Sequence, residues 1–86
     1  MKASHILVST KEQAESILAE ANALNFGQLA QAHSLCPSKT RGGDLGDFGP
    51  GQMVKPFEDA TLATAVGEIG QPVQTQFGYH LIHRTG

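Results

Sequence analysis

The chain has 86 residues, of which 16% are charged, and its formal net charge is −2. This length predicts one domain over residues 1–86 with a single modest core. No basic stretch is long enough to follow a nucleic-acid backbone, and no apolar run approaches the roughly 20 residues of a membrane span, so we expect neither nucleic acid nor a membrane as partner. The amino terminus lacks the apolar segment of a signal peptide, and a single cysteine cannot form an intrachain disulfide, so we expect a cytoplasmic protein.

A predicted strand at residues 3–8 is followed by two predicted helices. Thr10 and Gln13 have the spacing of a capping box at the start of the first helix. Apolar residues spaced by three and four then mark its buried face: Ala14, Ile17, Leu18, Ala21 and Leu24. We expect this helix to end at Asn25 and a shorter helix to follow over residues 26–33.

The second half of the chain begins with a glycine-rich stretch. Five glycines lie within residues 42–51, which indicates tight bends, with a short strand possible at residues 45–48. A third helix is predicted over residues 56–63, and strands over residues 72–75 and 79–84. This order predicts an α+β fold, a small antiparallel sheet covered by helices. The lack of a long apolar surface pattern favours a monomer.

Two histidines lie in the first and last predicted strands. His5 and His80 project from one face of the sheet if they have the same phase in neighbouring strands. The alternative is that each histidine merely begins a strand and is half exposed. Cys36, the lone cysteine, lies between them, after the second predicted helix.

Five blocks of sequence resemble the parvulin-type peptidyl-prolyl cis/trans isomerases. They are SHILV at 4–8, FGQLA at 26–30, RGGDLG at 41–46, GQMVKPFE at 51–58 and TQFGYHLI at 75–82. The blocks occur in the family's order and cover nearly all of the chain. The resemblance implies a parvulin-like fold, within the FKBP-like superfold. Its four-stranded antiparallel sheet is surrounded by three to four helices, and the first and last strands are neighbours.

The resemblance also implies the residues of the site. The catalytic set comprises the family's paired histidines, its cysteine and a hydroxyl, which here resemble His5, His80, Cys36 and Thr75. The substrate-binding set comprises the proline pocket, its edge and an acidic residue near the glycine-rich loop, which resemble Met53, Phe57, Phe77, Leu45 and Asp44. For Phe57, simple core packing is the alternative.

These residue types suit the chemistry of such an enzyme. Rotation about a peptide bond must overcome about 18–20 kcal/mol of lost resonance, but no bond breaks, so no strong nucleophile, cofactor or metal is needed. An apolar pocket can hold the proline ring and exclude water, while donors hold a carbonyl as the bond turns. We therefore predict non-covalent isomerisation of X–Pro bonds in unfolded or flexible polypeptides.

The histidines and the cysteine have more specific predicted roles. We expect His5 and His80 to share a hydrogen bond and to orient Cys36 and Thr75, because a neutral imidazole donates once and accepts once. Cys36 is a nucleophile, a polarisable group that stays unbonded near the carbonyl, or a small buried hydrophobe. The second interpretation is favoured because isomerisation needs no covalent intermediate.

Recognition of phosphate is not expected. The link between the first strand and helix is only residues 9–10, and Lys11 is its one nearby cation, whereas a phosphate requires several charge-assisted hydrogen bonds. Lys39 and Arg41 either favour an acidic residue before proline or are solvated loop charges.

Three rival functions remain from the sequence. The first is a non-catalytic chaperone module that binds proline-containing peptides on the same fold. The second is a thiol hydrolase built on Cys36 and a histidine, although no nucleophile-elbow pattern surrounds the cysteine. The third is a metal site that includes His33 and Cys36, but structural zinc usually has two close-spaced ligand pairs and only one occurs here.

Overall fold

Two long strands form the centre of a four-stranded antiparallel sheet in the computed structural model, which describes residues 1–86. In chain order the elements are β1 (Lys2–Val8), α1 (Lys11–Glu20), α2 (Phe26–His33), a 3-10 helix (Pro37–Arg41), β2 (Asp44–Asp47), α3 (Lys55–Ala63), β3 (Val73–Thr75) and β4 (Gly78–Arg84). The strands lie side by side in the order β2-β1-β4-β3. The predicted α+β fold with its four-stranded antiparallel sheet is confirmed. No helix is both long enough and apolar enough to cross a membrane.

The central strands carry apolar side chains on both faces, so the protein has two small cores. One lies under α1 and α2 and consists of Ile6, Val8, Ala14, Ile17, Phe26, Ala30 and Leu81. The other lies on the α3 side and consists of Ala3, Phe48, Phe57 and Ile82. The prediction of a single core was wrong because apolar side chains are buried beneath helices on both faces of the sheet.

The first helix is shorter than its apolar pattern predicts. Thr10 caps it as expected, its hydroxyl accepting a hydrogen bond from the backbone N–H of Gln13 at 3.2 Å. However, α1 ends at Glu20, whose carbonyl accepts a bond from the Asn25 side chain, and Leu24 is 95% exposed. The prediction that the helix reaches Asn25 was wrong because asparagine side chains bond the local backbone and stabilise a turn instead of another helical turn.

The segment after α2 is attached to β1 by hydrogen bonds. The Leu35 N–H donates to the Leu7 carbonyl at 2.8 Å, and the Leu7 N–H donates to the Ser34 hydroxyl at 3.1 Å. Ser34 is buried and also accepts a bond from the Cys36 N–H. These bonds place Cys36 and the 3-10 helix beside His5.

Gly43 makes the closest backbone approach in this region. Its N–H donates to the Ser38 carbonyl and its own carbonyl accepts the His5 N–H, both at 2.9 Å. Its φ is +81°, a conformation that side chains disfavour, and an added Cβ would overlap the His5 carbonyl oxygen. Only glycine fits this position without moving β1.

We expect Gly43→Ala to destabilise the protein by about 3 kcal/mol or more, because backbone strain and steric overlap add. Gly46→Ala is the matched control, since Gly46 also has a positive φ, +71°, but nothing lies within 4 Å of its added Cβ. The control should lose only about 1–2 kcal/mol. Urea unfolding followed by circular dichroism measures both, and equal losses would contradict the importance of the close approach.

Candidate active site

A cleft of about 520 Å³ opens on the α3 side of the sheet. Its walls are mostly apolar and include no Lys, Arg, Asp or Glu: His5, Leu7, Leu35, Cys36, Pro37, Leu45, Gln52, Met53, Val54, Phe57, Phe77 and His80. Seven of the nine predicted site residues line it. A second depression, of about 450 Å³, lies beside the end of α3 and contains none of them.

The two central strands place the histidines together. In the β1–β4 register, Leu7 lies opposite His80, and His5 lies opposite Ile82, so the histidines are diagonal neighbours on one face. Their rings are nearly parallel, with centroids 5.1 Å apart. Phe57 from α3 meets both rings edge-on, at 5.5 and 5.2 Å. The expectation from strand phase is confirmed.

A chain of hydrogen bonds runs through the histidine pair. The Nδ1 atoms of His5 and His80 lie 3.0 Å apart. His80 Nε2 lies 2.7 Å from the Thr75 hydroxyl, and His5 Nε2 lies 3.2 Å from the Ser38 hydroxyl. The predicted bond between the histidines and the predicted contact with Thr75 are therefore present.

The hydrogen bonds of this chain can all run in either of two directions, and every donor and acceptor is paired in both. Either Thr75 donates to His80, His80 to His5 and His5 to Ser38, or every bond is reversed. In both arrangements each neutral imidazole donates once and accepts once. A second added proton would place two N–H groups against each other between the Nδ1 atoms, so the folded pair holds at most one extra proton.

Burial keeps the histidine pair neutral. Their side chains are only about 5% exposed, and loss of hydration lowers the pKa of each to about 4; for His5 the neighbouring His80 contributes as well. Both rings are therefore uncharged near pH 7. The floor of the cleft is polar in its hydrogen bonding but carries no formal charge.

The prediction that the histidines orient Cys36 was wrong. No hydrogen bond joins the Cys36 thiol to either ring; the half-buried side chain lies on the cleft wall, and Ser38 bonds His5 instead. Ser38 is 6% exposed. The sequence reasoning missed it because a serine after Pro37 has no periodic or motif signal; only the fold brings it against β1.

The predicted apolar wall residues come from four segments of the chain. Met53 and Leu45 are half buried, from the loop before α3 and from β2. Phe57 is 3% exposed and also contacts Phe48 in the core, so it serves both as core and as cleft wall. Phe77 lies in the β3–β4 turn and is 60% exposed; its N–H donates to the Thr75 hydroxyl.

Two predicted residues do not line the cleft. Thr75 reaches the site only through His80. Asp44 is exposed, and its carboxylate accepts a hydrogen bond from the Gly46 N–H at 2.8 Å, so its role in substrate binding stays a prediction. Lys39 and Arg41 are exposed on the 3-10 helix and also lie outside the cleft wall.

The remaining histidines lie elsewhere. His33 is exposed at the end of α2, and His83 packs against Phe26 at 5.4 Å on the opposite face of the sheet. Nowhere do three or more His, Cys, Asp or Glu side chains gather as ligands for a metal ion.

The pKa values of His5 and His80 predict how stability depends on pH. Each native pKa, about 4, lies below the unfolded value of 6.5, so between these values the unfolded chain binds protons that the native protein does not. The free energy of unfolding should be highest above pH 6.5 and fall as the pH decreases towards 4.

Urea unfolding at pH 7.0, 6.0 and 5.0 measures this dependence, and the slope should approach two protons. Constant stability from pH 7 to 5 would mean that the pair is not buried as neutral rings.

Comparisons with known proteins complete the description of the site. A model of the Rotamase family, the PPIC-type PPIASE domain, matches residues 5–86. Peptidyl-prolyl cis-trans isomerase Pin1 of Digitalis lanata is 60% identical over 62 residues, which cover 72% of this chain and 52% of that protein. Foldase protein PrsA of Geobacillus sp. (strain WCH70) is 47% identical over 87 residues, covering 99% of this chain and 32% of that protein.

Solved structures agree with these sequence matches. The solution structure of NmPin, the parvulin of Nitrosopumilus maritimus, superposes with a TM-score of 0.86 at 44% identity and covers 100% of this chain and 95% of that one. The chain spans about half the length of the Digitalis relative and about a third of the PrsA relative. The superposition on NmPin confirms the parvulin-like fold that the sequence blocks imply.

Proposed function

Because the chain belongs to the PPIC-type PPIase family, we propose that it accelerates cis/trans rotation about X–Pro bonds in unfolded or flexible polypeptides. One observation carries the proposal: an uncharged apolar cleft lies directly against a buried, neutral and fully hydrogen-bonded histidine pair. We take residues 1–86 as a single isomerase domain. Its partners are proline-containing peptides and unfolded chains.

The cleft lowers the barrier by binding the twisted amide better than either planar form. The proline ring enters between Met53, Phe57 and Phe77 and displaces water. Water stabilises the polar planar amide, so its exclusion favours the less polar twisted state. No bond breaks, so the reaction needs neither cofactor nor metal.

The histidine pair supports the cleft without taking up the proton of a substrate. All ring nitrogens of His5 and His80 already have partners in the chain from Thr75 to Ser38. The pair therefore fixes the shape of the cleft floor at low polarity. Its role is to position the walls, not to transfer protons.

In this mechanism Cys36 forms part of the cleft wall, as a polarisable side chain that makes no covalent bond to the substrate. A cysteine nucleophile needs a base within hydrogen-bond reach, and none bonds its thiol. The absence of that contact also argues against a thiol hydrolase.

We expect Cys36→Ala to keep kcat/KM for X–Pro isomerisation within about tenfold of the unchanged protein, because only packing and polarisability are lost. Exchange NMR on a short X–Pro peptide measures the rate. A folded Cys36→Ala variant with activity reduced to background would instead support the nucleophile.

The substrate needs no phosphate. A phosphate bound at the cleft would need several cationic donors, whereas the walls contain none and only residues 9–10 link β1 to α1. We also infer that the domain works as a cytoplasmic monomer, since Cys36 is free and one chain completes the cleft.

The second candidate is a chaperone module that binds proline-containing segments without accelerating rotation. It is favoured by relatives named foldase and by a structural neighbour described among SurA-like chaperones. Only rate measurements separate the two functions, because both use the same apolar cleft.

The decisive experiment is exchange NMR on an unphosphorylated X–Pro peptide with catalytic amounts of protein. We expect accelerated exchange, reduced about five- to tenfold in Phe77→Ala, because that side chain loses roughly 1 kcal/mol of apolar contact with proline. Phe77 is the better choice than the core residue Phe57, whose truncation would cost about 3–5 kcal/mol of stability.

Leu24→Ala is the control, since Leu24 is also exposed but lies outside the cleft, and it should keep full activity. If peptide resonances shift on titration without any acceleration, the protein is a binding module and the isomerase proposal fails.

A further inference from the structure

We propose that Gln52 is a substrate-positioning residue, whose side-chain amide donates a hydrogen bond to the carbonyl oxygen of the bound proline residue itself. The inference rests on the proposed proline-binding cleft and adds a polar contact to it. Gln52 lines the cleft, but it has no bond in the hydrogen-bond chain of the histidines and is not one of the apolar side chains that hold the proline ring.

Two hydrogen bonds to one residue hold Gln52 in place. Its backbone N–H donates to the Gly49 carbonyl at 3.3 Å, and its side-chain oxygen accepts the Gly49 N–H at 2.8 Å. Because the Gly49 N–H is a donor, the amide atom that faces it must be the oxygen. The NH₂ group is thereby left with no partner in the protein.

Gln52 offers the cleft a donor that its other side chains lack. The ring nitrogens of His5 and His80 are already bonded in the chain that ends at Ser38 and Thr75. Every other lining side chain is apolar or, at Cys36, a weak thiol donor. A peptide that enters the cleft carries carbonyl oxygens that lose water and need donors.

The position of Gln52 in the sequence indicates which carbonyl of the substrate it bonds. Gln52 directly precedes Met53, which contributes to the wall that holds the proline ring. During rotation the ring stays in the pocket while the residue before proline turns. The proline's own carbonyl belongs to the stationary half, so a donor next to Met53 holds that half still.

The donor is ordered before the substrate arrives. A free glutamine loses side-chain entropy when it forms a hydrogen bond, but the bonds to Gly49 already restrict this one. Preorganisation of this kind lets a single exposed hydrogen bond contribute to binding in both the planar and the twisted state.

Gln52→Glu tests the proposal because the carboxylate can still accept the Gly49 N–H but has no hydrogen to donate. We expect kcat/KM for an X–Pro peptide to fall about three- to tenfold, the usual worth of one hydrogen bond. Gln74→Glu is the matched control: Gln74 is exposed on β3, outside the cleft, and the charge change is the same. Equal rates in the two variants would overturn the proposal.

A second readout separates donation from a purely structural role of the loop. A peptide whose proline carbonyl is replaced by a thiocarbonyl, a weaker acceptor, should be a poorer substrate for the unchanged protein but lose nothing further in Gln52→Glu. If the thiocarbonyl lowers kcat/KM by the same factor in Gln52→Glu as in the unchanged protein, Gln52 does not bond this carbonyl.

The ¹H–¹⁵N signals of the Gln52 side-chain amide provide a test that does not depend on turnover. They should shift when the peptide is titrated into the unchanged protein. If no catalysis is seen but these signals shift, the proposed function fails and the contact stands; if catalysis is seen and they do not shift, only the contact fails.

Discussion

The antiparallel pairing of β1 with β4 is the constraint on which the site depends. Its register sets His5 diagonally opposite His80 and brings their Nδ1 atoms to 3.0 Å. A slip of one residue in either strand would turn one histidine to the other face, where α1 and α2 pack. The pairing therefore fixes both the fold and the polar centre of the cleft, so the site cannot be displaced without disturbing the two cores.

A small domain can bury the histidine pair because every buried polar atom has a hydrogen-bond partner. No buried side-chain nitrogen or oxygen lacks a hydrogen-bond partner, although two imidazoles and the hydroxyl of Ser38 are almost fully enclosed. An unpaired buried group would cost about 1–3 kcal/mol, a large share of the stability of an 86-residue protein. The chain of hydrogen bonds that links Ser38, the two histidines and Thr75 is thus required for stability as well as being part of the site. Phe57 connects the histidines to the core by packing edge-on against both rings.

The sequence predicted what depends on local periodicity and on motif order. Strand phase anticipated that His5 and His80 share a face, and the resemblance of the motif blocks to the parvulins implied that the first and last strands are neighbours. Contacts that exist only after folding were missed: Ser38 meets His5 because backbone bonds attach its segment to β1, and no local pattern encodes that. The end of α1 was missed for a different reason, since asparagine side chains outcompete a favourable apolar stripe.

The separation of the two histidines along the chain has a consequence for synthesis. They are 75 residues apart, and the strand that carries His80 is synthesised after β1, the helices and the other two strands. Until it emerges, β1 lacks its central partner and the cleft has only half of its floor. The four prolines of the chain all precede β4, so the prolyl bonds of a nascent molecule begin their slow spontaneous cis/trans exchange before its own cleft is complete.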